Sequence, residues 1–322
     1  MITRLFLKAI APSIDILAAP LSAICGLYLR LLRRYGLERL PLTRRALDLV
    51  RVLPVPFHYH EPALNPRDLR HSLADERHLP ALDLNVTEQL ELISRFHYRA
   101  ELTCMPLRAT GPRRFAYQNG TFEVGDAELF YDMIRHFKPT RILEIGSGFS
   151  TLIAREAIAQ NNREDPNYSC DHVCIEPFEN LWLEQSGARI VRQRVEDVGV
   201  GLFDQLGEAD ILFIDSSHVI RPQSDVLFEY LELLARLKRG VLVHIHDIFT
   251  PRDYPASWVL GKRRLWNEQY LLEAFLSFNS QYRVLAALNY LWHHHAEALG
   301  DACPMLMREA TAEPGSFWMV RS

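Results

Sequence analysis

Short apolar runs alternate with stretches of helical periodicity through the second part of the chain. Between the runs, apolar residues recur every three or four positions, which places them on one face of a helix. Strands buried on both faces are typical of parallel sheets, whose connections are helices. The pattern therefore predicts an α/β fold with a doubly wound, mostly parallel sheet. The predicted strands fall at 142–145, 171–176, 188–193, 211–214 and 241–246.

Residues 141–151 are predicted to organise this sheet, because the first apolar run ends there in a glycine turn. Ser150 or Thr151 follows the turn in a position to cap a helix over the next residues. Glycines admit a ligand close to the backbone, and the first N–H groups of a helix are unpaired donors. The turn is thus predicted to cradle a nucleotide-type cofactor. Its predicted cofactor residues are Gly146, Ser147, Gly148, Ser150 and Thr151.

A carboxylate also precedes the turn, because Glu144 lies two residues before Gly146. A dinucleotide-binding G-x-G-x-x-G turn would have a third small residue where Thr151 stands. An acid on the strand suits instead a ligand with a cationic amino-acid end. S-adenosylmethionine carries both a sulfonium and an ammonium group. We therefore expect S-adenosylmethionine as the cofactor, with Glu144 among its ligands.

Two further acids follow the next two predicted strands. Glu176 ends the second strand, where a carboxylate can accept hydrogen bonds from both ribose hydroxyls. Its long interval from the glycines is attributed to a polar loop over 161–169. Glu196 follows the third strand, where this kind of fold contacts the adenine amino group. Both acids are predicted cofactor ligands.

Acids and histidines also end the fourth and fifth predicted strands. The fourth ends in Asp215, with His218 three residues later, and the fifth ends in His246 and Asp247. Ligands of open α/β sheets bind at the carboxyl ends of the strands. These four residues are therefore the predicted catalytic group, and Asp215 is also a predicted cofactor ligand.

Several of these stretches resemble one family. Glu144-Ile-Gly-Ser-Gly-Phe-Ser-Thr, Phe213-Ile-Asp-Ser-Ser-His and Leu237-Lys-Arg-Gly-Val-Leu-Val-His-Ile-His-Asp are similar to class I S-adenosylmethionine-dependent methyltransferases. The similarity is to a bacterial branch related to caffeoyl-CoA and macrolide-sugar O-methyltransferases and to cephalosporin-hydroxylase-like proteins. It continues through Trp266-Asn-Glu-Gln-Tyr and covers roughly residues 86–320. It implies a Rossmann-like, seven-stranded sheet with a final antiparallel pair from 282–290 and 316–321.

The resemblance implies O-methyl transfer, in which an acceptor oxygen is polarised and aligned with the methyl group. Metal-dependent relatives use carboxylates after the fourth and fifth strands, which Asp215 and Asp247 match, and an Asp or Asn where this chain has Ile248. His218 or His246 as a third ligand would suit Mg²⁺ or Mn²⁺, or Zn²⁺ or Fe²⁺. The alternative is a metal-free site in which one of these histidines is the general base.

A long segment, 249–266, follows the fifth strand and is predicted to form a lid facing the acceptor. It carries the basic cluster Lys262-Arg263-Arg264. This cluster suits an anionic acceptor, a membrane surface or simple solvation. The resemblance favours a small-molecule or glycan-type acceptor. Two other functions stay open, a nicotinamide-dependent oxidoreductase and a binding protein that kept the fold without the chemistry.

The N-terminal part differs in composition from the rest. Residues 1–51 hold nine Lys or Arg against three acids, whereas the whole chain of 322 residues has a net charge of −4. The apolar stretch 9–29 is bracketed by Lys8 and Arg30, which favours an apolar segment lying on the inner face of a membrane. A helical hairpin packed on the protein or a partner is the next alternative. A membrane span comes last, because Asp15, Pro12 and Pro20 interrupt the stretch.

Composition sets the remaining expectations. The overall acidity excludes a generally basic, nucleic-acid-binding surface. Five scattered cysteines without a zinc-type pair are typical of reduced thiols in the cytoplasm. The predicted organisation is an apolar, basic segment over 1–51, a connector over 52–85 and a methyltransferase domain with preceding cap helices over 86–322. A homo-oligomer is compatible with the sequence.

Overall fold

Seven strands form a single sheet in the order β3-β2-β1-β4-β5-β7-β6. The first five are parallel, and β7 runs antiparallel to both β5 and β6. This arrangement in the computed structural model confirms the predicted fold, including the final antiparallel pair. The strands are β1 Arg141–Ile145, β2 Asp171–Ile175, β3 Arg189–Val191, β4 Ile211–Ile214, β5 Leu242–Ile245, β6 Tyr282–Ala287 and β7 Phe317–Arg321.

The structure describes residues 2–109, 111 and 114–322, with residues 2–10 described by their backbone alone. The chain divides into two units, Met1–Ser72 and Leu73–Ser322. This division differs from the predicted boundaries after residues 51 and 85. Of the expected connector, residues 52–72 group with the N-terminal helices and residues 73–85 with the sheet, and the predicted domain organisation stays a prediction.

Helices cover both faces of the sheet, as the alternating pattern predicts. The predicted helix 86–103 is two helices, and the side chains of Ile93 and Phe96 at the break are both buried. The helix predicted over 223–238 contains the π-helical segment Glu229–Leu233. The helices of this unit are α3 Val86–Ile93, α4 Arg99–Thr103, α5 Asp126–Phe137, α6 Phe149–Glu164, α7 Asp225–Phe228, α8 Leu234–Arg236, α9 Glu268–Leu276 and α10 Leu288–His294.

Two expectations about α6 are wrong. The helix already begins at Phe149 with Gly148 as its N-cap, so neither Ser150 nor Thr151 caps it. It also continues to Glu164, so the polar stretch after 161 is not a loop throughout. The buried Asn161 explains this, because its amide donates to the Ile134 carbonyl oxygen at 3.0 Å and ties the last turn of α6 to α5.

Aromatic rings fill one face of the sheet. Phe130 of α5 stacks on Phe213 of β4, and the ring of Phe213 stacks on His244 of β5 with a centroid distance of 4.2 Å. His244 is fully buried and its Nε2 lies 3.0 Å from the hydroxyl of Ser316. His244 is therefore a core residue, whereas the end of its strand enters the candidate site.

The N-terminal unit contains α1 Ile2–Tyr35 and α2 Pro41–Leu49. Despite Pro12 and Pro20, α1 is one helix, so no hairpin forms within the apolar stretch. Its residues Ala11–Tyr35 are long and apolar enough to cross a membrane, with a mean hydropathy of 1.6. Most of them are exposed, and Leu32 is the buried one among them. By itself this is weak evidence for membrane contact, since a signal sequence has the same properties.

Candidate functional site

A cleft of about 770 Å³ opens at the carboxyl ends of β1, β2 and β4. The strand order reverses between β1 and β4, and such switch points are where open α/β sheets bind ligands. Four predicted cofactor residues line this cleft. They are Gly146, Glu176, Glu196 and Asp215.

Gly146 is required by the backbone that surrounds it. Its φ is +76°, and a Cβ added there would lie 1.9 Å from the carbonyl oxygen of Asp215. The Asp215 N–H donates to the Ile145 carbonyl oxygen at 2.8 Å, which holds the two strand ends together. The glycine thus lets the end of β1 approach the end of β4 and opens the cleft between them.

Glu176 is fixed at the edge of the cleft by backbone donors. One carboxylate oxygen accepts from the N–H groups of Phe178 and Glu179, both at 2.9 Å, and the other accepts from the Ser147 N–H at 3.4 Å. The side chain is oriented before any ligand arrives. The first oxygen has both lone pairs occupied by these donors, whereas the second still has one available for a ligand hydroxyl.

The placement of Glu144 does not agree with a direct cofactor contact. Its side chain is fully buried and lies outside the cleft lining. One carboxylate oxygen accepts from the Thr151 hydroxyl at 2.7 Å and lies 2.8 Å from His172 Nε2. The Cys174 thiol donates to the same oxygen at 3.2 Å. Side chains on a strand alternate between faces, and this one points into the interior.

The side chains after the turn are buried too. The Thr151 hydroxyl donates its hydrogen bond to Glu144, and Ser150 is 4% exposed. The hydroxyl of Ser147 has no hydrogen-bond partner among the described residues. In this turn, a ligand can therefore be held by backbone N–H groups rather than by the hydroxyls of Ser147, Ser150 and Thr151, all of which belong to buried residues.

The predicted catalytic residues converge at the ends of β4 and β5. The Nε2 atom of His218 lies 3.2 Å from Asp215 Oδ1 and 3.5 Å from Asp247 Oδ2. His218 is almost fully buried, while the side chains of Asp215 and Asp247 are 33% and 15% exposed. The histidine thus stands between two carboxylates that still reach solvent.

Glu268, at the start of α9, is a site residue that the sequence reasoning missed. Its fully buried carboxylate lies 2.9 Å from His218 Nδ1, on the ring edge away from the aspartates. Its other oxygen accepts from the Tyr230 hydroxyl at 3.2 Å. The only available signal was Trp266-Asn-Glu-Gln-Tyr in the family resemblance, which gave no role to this acid.

The backbone around this cluster is held in unusual conformations. His218 and Asp247 both have φ of +59°, which is uncommon for residues other than glycine. The carbonyl oxygen of His218 accepts from the N–H groups of Asn267 and Glu268. A Cβ added at Gly315 would lie 2.9 Å from the Asp247 Cα. Contacts with neighbouring segments therefore hold His218 and Asp247 in these uncommon backbone conformations, as is typical of strained positions in functional sites.

Neighbouring charged groups shift the pKa values of His218 and Asp215 in opposite directions. Burial would lower the pKa of His218, but its hydrogen bonds with Asp215 and Glu268 outweigh burial and raise the pKa well above its usual value. Burial would raise the pKa of Asp215, but the imidazoles of His246 and His218 outweigh it and lower the pKa. Without a bound cation, these pKa shifts favour an imidazolium form of His218 beside an ionised Asp215.

His246 lies beside the cluster rather than inside it. Its Nε2 atom is 3.6 Å from Asp247 Oδ1, and its ring packs on Phe122 at 5.1 Å. Burial would lower its pKa, but Asp247, Asp215 and Asp126 raise it. Its Nδ1 atom is buried without a partner among the described residues. Asp126, whose pKa is raised by burial to about 6, accepts from the N–H groups of Gly315 and Ser316.

The cluster also has the donor set of a metal site. Ligand atoms of Asp215, His218 and Asp247 lie within 4.8 Å of one another. Donors around a six-coordinate Mg²⁺ at about 2.1 Å stand roughly 3 Å apart, close to the two histidine-to-aspartate distances. Metal-bound histidines usually donate their second N–H to a carboxylate, and Glu268 is placed to accept it. The residues fit a divalent cation, with His218 instead of a third carboxylate.

Comparison with known sequences agrees with this architecture. Residues 143–248, from β1 to just beyond β5, match a family described as a methyltransferase domain. The chain is also 30% identical over 166 residues to an uncharacterised protein of Archaeoglobus fulgidus. That alignment covers 48% of this chain and 73% of the archaeal protein. The matched family region contains the glycine turn, Glu176 and the four predicted catalytic residues.

Proposed function

This chain belongs to a family of methyltransferase-domain proteins, and we propose that it transfers the methyl group of S-adenosylmethionine to an oxygen of a small-molecule or glycan-type acceptor. The observation that carries the proposal is the shared position of Asp215. It lines the cleft at the switch point and also lies 3.2 Å from His218. S-adenosylmethionine bound in the cleft would therefore have its reactive end beside the aspartate and histidine cluster.

The residues of the cleft fit the parts of S-adenosylmethionine. Glu176 is oriented for the ribose hydroxyls, and Glu196 lies farther along the cleft wall with Arg194, in reach of an adenine amino group. The backbone of the Gly146 turn would then bind the amino-acid end of S-adenosylmethionine. Glu144 supports this turn from beneath through Thr151, so its contribution to binding is indirect.

The cluster supplies the acid–base part of methyl transfer. A developing oxyanion on the acceptor needs a positive charge beside it and a group that takes its proton. Asp215, His218 and Asp247 would hold a divalent cation, which when bound lowers the pKa of a coordinated hydroxyl. Without the cation, the His218 imidazolium supplies the charge, and Asp247 or His246 is the available proton acceptor.

The test is cofactor binding followed by turnover. Calorimetric titration should show saturable binding of S-adenosylmethionine and none of NAD. A screen of hydroxylated acceptors with methyl-labelled cofactor should then show stoichiometric release of S-adenosylhomocysteine. Binding of NAD instead would favour the oxidoreductase alternative. Cofactor binding without label transfer to any hydroxyl acceptor would favour a binding protein.

We also propose that α1 holds the enzyme at a membrane with anionic lipids. The support is the exposed apolar surface of Ala11–Tyr35 together with arginines in its last turn, Arg33 and Arg34. The full-length protein should float with vesicles containing phosphatidylserine, and removal of residues 1–51 should abolish flotation. A full-length protein that stays unbound at low salt would contradict this proposal.

A further inference from the structure

An arginine of the lid segment lies in the corner of two tryptophans. The Cζ atom of Arg264 is 4.4 Å from the ring centre of Trp258 and 4.0 Å from that of Trp266. The two rings are nearly perpendicular, with centroids 5.2 Å apart. The backbone N–H of Arg264 donates to the Trp258 carbonyl oxygen at 3.0 Å. Side chain and backbone are thus both fixed by Trp258.

This arginine is one aromatic ring away from the catalytic cluster. The ring of Trp266 packs on the imidazole of His218 with a centroid distance of 4.3 Å. Glu268, two residues after Trp266, holds the other edge of that imidazole. The same short segment therefore positions the histidine of the reaction centre and the guanidinium beside it.

Arg264 lacks the acidic partners that other arginines nearby have. Arg77 pairs with Glu273 at 2.5 Å, and Arg252 has Glu76 at 3.6 Å. Within the part of the chain that the structure describes, no carboxylate forms an ion pair with Arg264 and none accepts a hydrogen bond from its guanidinium. The side chain is only half-buried. Arg264 is thus a fixed, accessible cation without a counter-ion among the described residues.

The way it is held suits recognition of a planar anion. Because the two rings are nearly perpendicular, one of them at most can stack on a face of the guanidinium, and the other is met by its edge. The N–H groups on the remaining edge are left for a ligand. Such a fork matches a carboxylate or phosphate with two parallel hydrogen bonds. Tryptophan walls also provide apolar surface for the body of a ligand.

We propose that Arg264 binds an anionic group, a carboxylate or a phosphate, on the acceptor whose hydroxyl is methylated. This proposal deepens the proposed function, because the bound anion is part of an acceptor only if the protein transfers methyl groups. The anion-binding site itself does not depend on methyl transfer. The proposal narrows the acceptor to a small anionic molecule and gives a role to the basic cluster of the lid.

The test compares three probes that differ in charge, benzoate, phenyl phosphate and the neutral benzamide, with binding to the full-length protein followed by tryptophan fluorescence. At least one anion should bind about tenfold or more tightly than benzamide, as expected for charge-assisted hydrogen bonds. Arg264→Gln should remove this preference. Arg263→Gln, at the neighbouring exposed arginine, should keep it. The tighter of the two anions identifies the group.

This measurement requires neither cofactor nor turnover, so it can show anion binding even if the protein transfers no methyl group. Arg264→Gln should also keep its affinity for S-adenosylmethionine, which separates the anion site from the cleft. If the glutamine variant unfolds, Arg264→Lys replaces it, and it should lose most of the preference because lysine lacks the fork. Equal or undetectable binding of the three probes, or a preference that survives loss of the arginine, overturns the proposal.

Discussion

Two histidine-centred clusters in this protein have similar chemistry and opposite surroundings. Glu144, His172 and Cys174 form one, and Asp215, His218 and Asp247 form the other. In each, the ligand atoms are close enough to surround one ion. The side chains of Glu144 and His172 are 0% exposed, whereas Asp215 is 33% exposed. The two clusters thus have similar residue types and spacing, and they differ in their access to solvent.

Topology explains the contrast. Glu144, His172 and Cys174 lie within β1 and β2, so their side chains are enclosed between sheet and helix. Asp215 and Asp247 come directly after β4 and β5, at the edge where parallel strands leave an open crevice. The interior cluster should therefore contribute to stability, and the edge cluster to turnover. Each of the following substitutions tests one side of this division.

The largest effect is expected at Asp247. Asp247→Asn keeps the shape of the side chain but removes the charge facing His218, and it should lower turnover by about 10²–10⁴-fold. Affinity for S-adenosylmethionine should hardly change. Chelation with EDTA, followed by Mg²⁺ or Mn²⁺, then separates the mechanisms, since restored activity favours the metal and indifference favours the histidine. Near-normal turnover of the variant would place the reaction elsewhere.

Glu176→Ala should act on the cofactor alone. Loss of hydrogen bonds to a charged group should cost roughly 1.5–3 kcal/mol of binding free energy for S-adenosylmethionine. Glu179→Ala, a neighbour in the same cleft wall that serves Glu176 through its backbone N–H, is the matched control. Unchanged affinity of a folded Glu176 variant, measured by calorimetry, would contradict the predicted ribose contact.

Glu268→Gln tests the support of His218. Residues that orient a metal-binding histidine typically change activity or metal affinity by about 10–100-fold, and we expect a loss in that range. Tyr230→Phe is the control, because it removes only the hydroxyl that donates to the other oxygen of Glu268. Kinetics with a saturating cofactor concentration should show a reduced kcat. Equal losses in both variants would indicate general loosening of α9 instead.

Glu144→Gln should reveal the opposite behaviour of the interior cluster. Weakening the bonds to Thr151 and His172 should reduce the free energy of unfolding by about 1–3 kcal/mol. Turnover per folded molecule should change far less than with Asp247→Asn. Urea denaturation and active-site titration with the cofactor would measure the two quantities. A fully stable variant that cannot bind the cofactor would restore the direct contact predicted from the sequence.

The sequence predicts the sheet better than the site. Buried strands are continuous apolar runs, so β1, β4 and β5 could be placed closely, and strand-end acids follow from the same pattern. The sequence could not show which face a side chain takes, so it could not show that the Glu144 carboxylate is buried against Thr151 and His172. Glu268 reaches the cluster from a segment far along the chain, and Arg264 lies one tryptophan ring away from it, through contacts that only tertiary packing creates.

The protonation states of His218 and His244 can be measured directly, and they should differ between the strand edge and the interior. The pKa of His218 is raised well above its usual value, whereas burial and the nearby His246 lower the pKa of His244 well below it. In protein freed of metal by chelation, nitrogen NMR spectra at about pH 7.5 should show His218 protonated on both nitrogens and His244 neutral.

The raised pKa of His218 also fixes the direction in which the stability of the protein changes with pH. The folded state keeps the His218 proton above pH ~6.5, where the unfolded chain releases it, so this contribution is complete below that pH and is lost as the pH rises through the folded pKa. The urea midpoint should therefore fall as pH rises above neutrality, more in the native protein than in His218→Asn. A neutral His218 at pH 7.5 would mean that the carboxylates around it do not retain the positive charge, and the metal-free version of the mechanism would lose its cation.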